Sequence, residues 1–276
     1  MVELTYLQFH AVFILPVIGL LLFLLYRNDR TGAIRGAIGI SILVTIAFIY
    51  TTPWGSYMIQ RGVWWYGDGA VVATVLSIPL GEYLFFIFQT VIVGLYLYLR
   101  GFDPTFRAGD FAWRPRLLGV GAGFILFVSG IWLVFQDPSY LYLGGLIAWV
   151  GPVIMLQWAV GGGYLIRTPR IWLEAALVPA LYLWVTDRIA IEIGTWVISE
   201  QYTTGIAVLG LPIEEMLFFF VAGLMTVNGL VLFEWVLDYW DTYGWPAPIA
   251  TIFPTVETPP TATQAADTVD EQLNNQ

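Results

Sequence analysis

Apolar residues in this chain do not alternate with polar ones at a helical or strand period; they run on in blocks. Seven blocks reach or approach the roughly 20 residues a helix needs to cross a bilayer. They lie near 4–26, 34–54, 70–99, 117–135, 141–163, 171–186 and 205–237. A segment that is apolar all round suits a helix in lipid, where backbone groups must be satisfied within the segment. The third and seventh blocks are long enough for tilt or a kink. No basic stretch precedes the first block, which ends in Tyr26-Arg27-Asn28-Asp29-Arg30, so it reads as a retained helix and not a signal peptide. The pattern predicts an all-α polytopic membrane protein with seven transmembrane helices, forming an integral membrane domain over 1–240. The stretch 245–276, rich in Pro, Thr, Ala, Asp and Gln, reads as an acidic disordered tail.

Composition sharpens this picture. The 276 residues are 58% hydrophobic and 11% charged, against about 25% charged in soluble domains. Cysteine is absent, which removes disulfides, thiolate metal sites and cysteine nucleophiles. All 11 basic residues are arginine, so a lysine Schiff base to a retinal-like carbonyl is excluded. The lone histidine, His10, removes multi-histidine metal sites and reads as a packed or interfacial residue. A net charge of −9 suits a salt-rich cytoplasm that screens like-charge repulsion. Arg27, Arg30, Arg35, Arg100, Arg107, Arg114, Arg116, Arg167 and Arg170 fall in loops on one side, and only Arg61 and Arg188 on the other. The positive-inside rule then sets the N-terminus outside and the C-terminus in the cytoplasm of a multi-pass protein of the cell membrane.

The two ends of the chain also resemble each other. Pro79-Leu80-Gly81-Glu82-Tyr83-Leu84-Phe85-Phe86 aligns with Pro212-Ile213-Glu214-Glu215-Met216-Leu217-Phe218-Phe219, and upstream Gly62-Val63-Trp64 aligns with Gly194-Thr195-Trp196. The expected layout is two parallel three-helix repeats, about 1–100 and 141–237, joined by a connector helix near 117–135.

Glu82 and Glu215 occupy equivalent positions, expected about 15 Å into their helices at 1.5 Å per residue. A carboxyl group at such depth is rare and usually faces the protein interior. Burial disfavours its charged form, and a buried protonated acid is a candidate proton donor. If Pro212 begins a fresh half-helix, the helix dipole opposes that preference; the sequence leaves the balance open, and a coupled pair with one protonated and one ionised member is one arrangement that fits. Glu214 and Glu215 point about 100° apart on a helix and need not share a target. The plainer alternative is that these acids only tie helices together by hydrogen bonds.

Phe85, Phe86, Phe218 and Phe219 lie within a turn or so of the glutamates, where aromatic faces can stabilise a cation or simply pack helices. Trp64, Trp65 and Trp196 read either as interfacial belt residues or as the outer wall of the acid site. Asp187 lies where it could approach the outer mouth of that site, with a helix cap or an ion pair to Arg188 as its alternative. Gln89 and Asn228 read as helix–helix hydrogen bonds, and Gly161-Gly162-Gly163 as a helix end.

Together with Thr52-Pro53-Trp54 and Arg61-Gly62-Val63-Trp64-Trp65-Tyr66, the doubled Pro-x-x-Glu-x-Leu-Phe-Phe motif resembles the membrane-integral lycopene cyclases of the heterodimeric bacterial type. In archaea and fungi of that family the two small subunits are fused in one chain. The resemblance covers most of 1–237, and the acidic, lysine-free composition looks haloarchaeal. It implies cyclisation of the acyclic ends of lycopene to β-rings, giving β-carotene, without redox change, cofactor or metal. The implied partners are the polyene substrate and membrane lipid, with no nucleic acid and with contact to other carotenoid enzymes left open. The family's motif glutamates fall on Glu82, Glu214 and Glu215. Glu215 is the expected proton donor, and Glu214 or Glu82 its acceptor or partner. Phe218, Phe219, Phe85 and Phe86 would line the substrate site, with Trp64, Trp65, Trp196 and Asp187 toward its outer end. Two departures, Gly81 opposite Glu214 and Gly55 where an aspartate is expected, suggest that the second repeat carries the chemistry and the first shapes the cavity.

Other readings compete. A glutamate-type intramembrane protease would need an arginine at position 219, which is phenylalanine, and histidines the chain lacks; a prenyltransferase would need aspartate-rich magnesium motifs. A proton-coupled transporter, in which intramembrane acids relay protons, is the non-enzyme alternative. If the repeats are parallel, Glu82 and Glu215 share one depth. A lycopene standing across the bilayer then cannot offer one end to each, so the two ends would be cyclised in sequence.

Overall fold

The computed structural model describes residues 4–28 and 33–244; the expected tail over 245–276 lies outside them. Among the described residues the fold is mostly helical, with seven long segments. These are α1 (Tyr6–Arg27), α2 (Ala33–Arg61), α3 (Leu80–Arg100), α4 (Trp113–Val134), α5 (Leu141–Arg167), α6 (Pro169–Glu192) and α7 (Ile213–Tyr243). All but α6 are long and apolar enough to cross a membrane. Helix α6 falls short because it carries Arg170, Glu174, Asp187, Arg188 and Glu192.

The blocks at 70–99 and 205–237 are not helical throughout, as their uniform apolarity suggested. Each begins with a small antiparallel hairpin. In the first, β2 (Thr74–Val75) pairs with β3 (Ile78–Pro79); in the second, β5 (Ala207–Val208) pairs with β6 (Leu211–Pro212). The turns need left-handed backbone, at Leu76 and Ser77 in one and at Leu209 and Gly210 in the other. Proline then caps each helix, Pro79 for α3 and Pro212 for α7. Proline fits that position because its missing N–H removes no intrahelical bond there. Glu82, Glu214 and Glu215 therefore sit in the first turns of α3 and α7 and not 15 Å along them.

A third strand pair joins the two halves of the chain. Strands β1 (Trp64–Tyr66) and β4 (Trp196–Ile198) are antiparallel, with Trp64 opposite Ile198, Trp65 opposite Val197 and Tyr66 opposite Trp196. The bonds Ser199 N–H to Val63 O (2.8 Å) and Gly67 N–H to Thr195 O (3.2 Å) extend the pairing. Gly67 is required here, since a Cβ at that position would overlap the Gly194 carbonyl.

Helices α4 and α5 pack backbone to backbone through small residues. A side chain at Gly123 would meet Gly151, and one at Gly130 would meet Gly144 and Ala148, the close approach that drives helix association in lipid. Helix α5 does not end at Gly161-Gly162-Gly163. It bends at Gly161 (φ −139°, ψ 35°) and runs on to Arg167, because Gly162 and Gly163 let the backbones of Arg116 and Asp110 come close. At this arginine-rich end Arg167 donates twice to buried Asp110, at 2.9 and 2.8 Å, and Trp235 Nε1 donates to the same carboxylate at 3.2 Å. Bidentate charge-assisted bonds of this kind are among the stronger polar contacts in a protein. The acids of interest lie near the opposite end, against the three strand pairs.

Candidate active site

Glu82, Glu215 and Asp187 line one apolar cavity of about 50 Å³. Glu82 enters from the first turn of α3, Glu215 from the first turn of α7 and Asp187 from α6. All three are buried. Because both glutamates follow a proline cap by three residues, the two hairpins fix their approach to the cavity. The helix N-termini behind them offer unsatisfied N–H groups to negative charge.

Each acid has aromatic partners. Trp196 Nε1 donates to Asp187 Oδ1 at 2.8 Å. Trp64 Nε1 donates to Tyr66 Oη at 3.1 Å and, at 3.4 Å, to Glu82 Oε2. Tyr142 lines the cavity with Glu215, and its hydroxyl interacts with that carboxyl group. Asp187 Oδ2 has no hydrogen-bond partner among the described residues. Arg188 does not pair with Asp187; it pairs with Glu192 and donates to the Leu209 carbonyl.

Phe85, Phe86, Phe218, Phe219, Trp64 and Trp196 all line the same cavity. Phe85 meets Phe219 edge-on with centroids 5.7 Å apart, and Trp54 stacks on Phe218 at 5.8 Å. The wall is thus almost continuous π surface apart from the three acids, and such a surface tolerates a cation.

Two expected site residues are elsewhere. Trp65 is 48% exposed on the outside of the β1–β4 pair, because successive strand residues face opposite ways. Glu214 is fully buried but off the cavity wall, and its Oε1 accepts from the Thr204 N–H at 2.7 Å. One step along a helix had turned it away from Glu215. The missing counterpart in the first half has a steric cause, since any side chain at Gly81 would overlap the Tyr6 ring. The Gly81 carbonyl instead bonds His10 Nε2 at 2.7 Å, and His10 stacks on Tyr6. Gln89 bonds across to the Phe219 carbonyl at 3.4 Å, while Asn228 Oδ1 is buried without a partner among the described residues.

The sequence reading missed Tyr142, Tyr6 and Ile198 on the cavity wall, and named Trp54 and Tyr66 only as parts of a motif. A signal for the tyrosines exists: Tyr6-Leu7 and Tyr142-Leu143 stand at the starts of α1 and α5. Each ring crosses to the other half of the chain. Tyr142 lies 5.5 Å from Trp64, and Tyr6 lies 4.9 Å from Trp196.

A family model described as lycopene cyclase matches residues 5–99 and 139–235. Lycopene beta-cyclases of two Halobacterium salinarum strains are each 44% identical to this chain over 245 residues, covering 86% of it and 98% of the relative. A bifunctional lycopene cyclase/phytoene synthase of Phaeosphaeria nodorum is 37% identical over 243 residues, covering 82% of this chain and 40% of that protein. No solved structure gives a significant match.

Proposed function

The chain belongs to the lycopene cyclase family, and on that premise we propose that it is a lycopene β-cyclase that closes the acyclic ends of lycopene by proton-initiated chemistry at the Glu82–Asp187–Glu215 cavity. The observation that carries this reading is the convergence of three buried carboxyl groups on one small cavity walled by aromatic rings.

The reaction is an isomerisation. A proton adds to the terminal double bond of the polyene and leaves a tertiary cation. The neighbouring alkene attacks that cation and forms the ring bond, and a proton is then lost to generate the ring double bond. One proton enters and one leaves, so no oxidant or reductant is consumed. Three carboxylates around one apolar cavity would repel each other strongly if all were charged, so the cavity naturally holds both a proton to give and a base to receive one. Glu215, oriented by Tyr142, is the donor. Asp187, with its uncommitted Oδ2, and Glu82 are the groups able to accept. Glu214, held by the Thr204 backbone, supports the turn that carries Glu215. The π walls lower the energy of the cation, and the polyene that fills the cavity displaces the water that would otherwise capture it.

The architecture in this reading is a seven-span protein of two parallel repeats, α1–α3 and α5–α7, connected by α4. The β1–β4 register supports it, since the pairing is balanced about Trp65 and Val197 as a local two-fold axis would require. In this reading the cavity faces the outer side and the α7 C-terminal end the cytoplasm, as the distribution of arginines supports by the positive-inside rule. Expression in cells that accumulate lycopene, followed by pigment separation, tests the activity; β-carotene is the expected product, and unchanged lycopene would reject it.

A further inference from the structure

Beside the acid cavity lies a second and much larger space, of about 510 Å³. Its floor is α7, from Phe218 to Trp240, and its walls are α2 on one side and α5 on the other. Phe86 and Phe218 line both spaces, so the groove begins where the acid cavity ends. The hydrogen bond from Tyr50 Oη to the Trp149 carbonyl, 2.7 Å, ties α2 to α5 beside that junction. Further along, exposed Ile46 and Leu156 stand on the opposite walls, which leaves the groove open sideways toward lipid. No charged side chain lines it.

We propose that this groove binds the remote part of the linear polyene while one end is held among the acids. The proposal rests on the cyclase reading. From Phe218 to Trp240 helix α7 advances about 33 Å at 1.5 Å per residue, as far as a bilayer core is thick, roughly 30 Å. A phospholipid acyl chain fills only one leaflet, about half that depth, whereas a rigid conjugated rod reaching through both leaflets matches the whole groove. The uncharged lining suits a pure hydrocarbon, and the lateral opening lets it enter from lipid without crossing water. Affinity then comes from the part of the substrate that does not react, and it fixes the reacting end against Glu215.

The test is retention of lycopene by the purified protein in detergent, read by polyene absorbance after gel filtration and separately from turnover. Ala47→Trp on the α2 wall should weaken retention about tenfold or more, because apolar contact along the rod is lost. Ile125→Trp, on the exposed face of α4 away from the groove, should leave it unchanged. For the wild type, polyenes shortened only at the remote end should bind progressively more weakly, which keeps the test valid if Ala47→Trp does not fold. Equal retention by Ala47→Trp and wild type, equal affinity for full-length and half-length polyenes, or occupation by phospholipid that lycopene does not displace would overturn the proposal. Retention without conversion by the wild type would leave the groove standing and reject the cyclase reading.

Discussion

The indole N–H of Trp196 donates to Asp187 Oδ1 at 2.8 Å while Asp187 Oδ2 faces no partner among the described residues. Trp196 thus orients a carboxylate whose other oxygen is uncommitted, beside Glu215 in one cavity. If Asp187 accepts the departing proton, Asp187→Asn should lower turnover by about 10²-fold or more, within the range of general-base loss. Trp196→Phe, which keeps the carboxyl group but frees its orientation, should lower turnover by less. Pigment formation per unit of protein measures both; an Asp187→Asn enzyme as fast as wild type assigns the base role to Glu82.

Tyr142 reaches Glu215 from the other end of the second half-chain and is 2% exposed. Tyr142→Phe keeps the ring packing against Trp64 and removes only the hydroxyl. A hydrogen bond to the carboxylate that Glu215 becomes on giving up its proton contributes about 1.5–3 kcal/mol, so turnover should fall roughly 10- to 100-fold with thermal stability nearly unchanged. A loss of stability without a loss of turnover would make Tyr142 a packing residue.

Both glutamates of the doubled motif open onto a single cavity, and in the proposed mechanism one end of lycopene would be cyclised at a time. Early in a reaction the one-ring product should therefore be present, and it should decline as β-carotene accumulates. A time course that yields β-carotene with no monocyclic species would argue for two ends processed without release.

The absence of native cysteine makes the orientation directly testable. A single cysteine at exposed Ala108, in the arginine-rich loop, should be labelled only from the cytoplasmic side, and one at exposed Gln201 only from outside. The reverse pattern would invert the topology.

The parts of this site that the sequence disclosed are those written as motif. Glu82 and Glu215 are visible because a carboxyl group is conspicuous in an apolar block, and their equivalence because the surrounding Pro, Leu and Phe residues recur. The hairpins were not legible, since 70–79 and 205–212 are apolar on every face and carry no period to separate strand from helix. That Trp65 faces away from the cavity and Glu214 lies off its wall was not fixed by the motif, because adjacency in sequence says nothing of direction until the element and its phase are known. Tyr142 lay outside any motif, and only its packing across the two halves brings it to Glu215. The groove is a property of how α2, α5 and α7 are spaced, which no single helix encodes.

The most direct test of the account is the fate of lycopene with Glu215→Gln, a substitution that keeps the size and hydrogen bonding of the side chain but removes its acid. Wild type and variant are expressed at equal protein level in lycopene-accumulating cells, and the pigments are separated by chromatography. The account predicts β-carotene from the wild type and lycopene alone from the variant, with conversion reduced at least about 10²-fold. Efficient cyclisation by Glu215→Gln would contradict it and move the proton donor to Glu82 or Asp187.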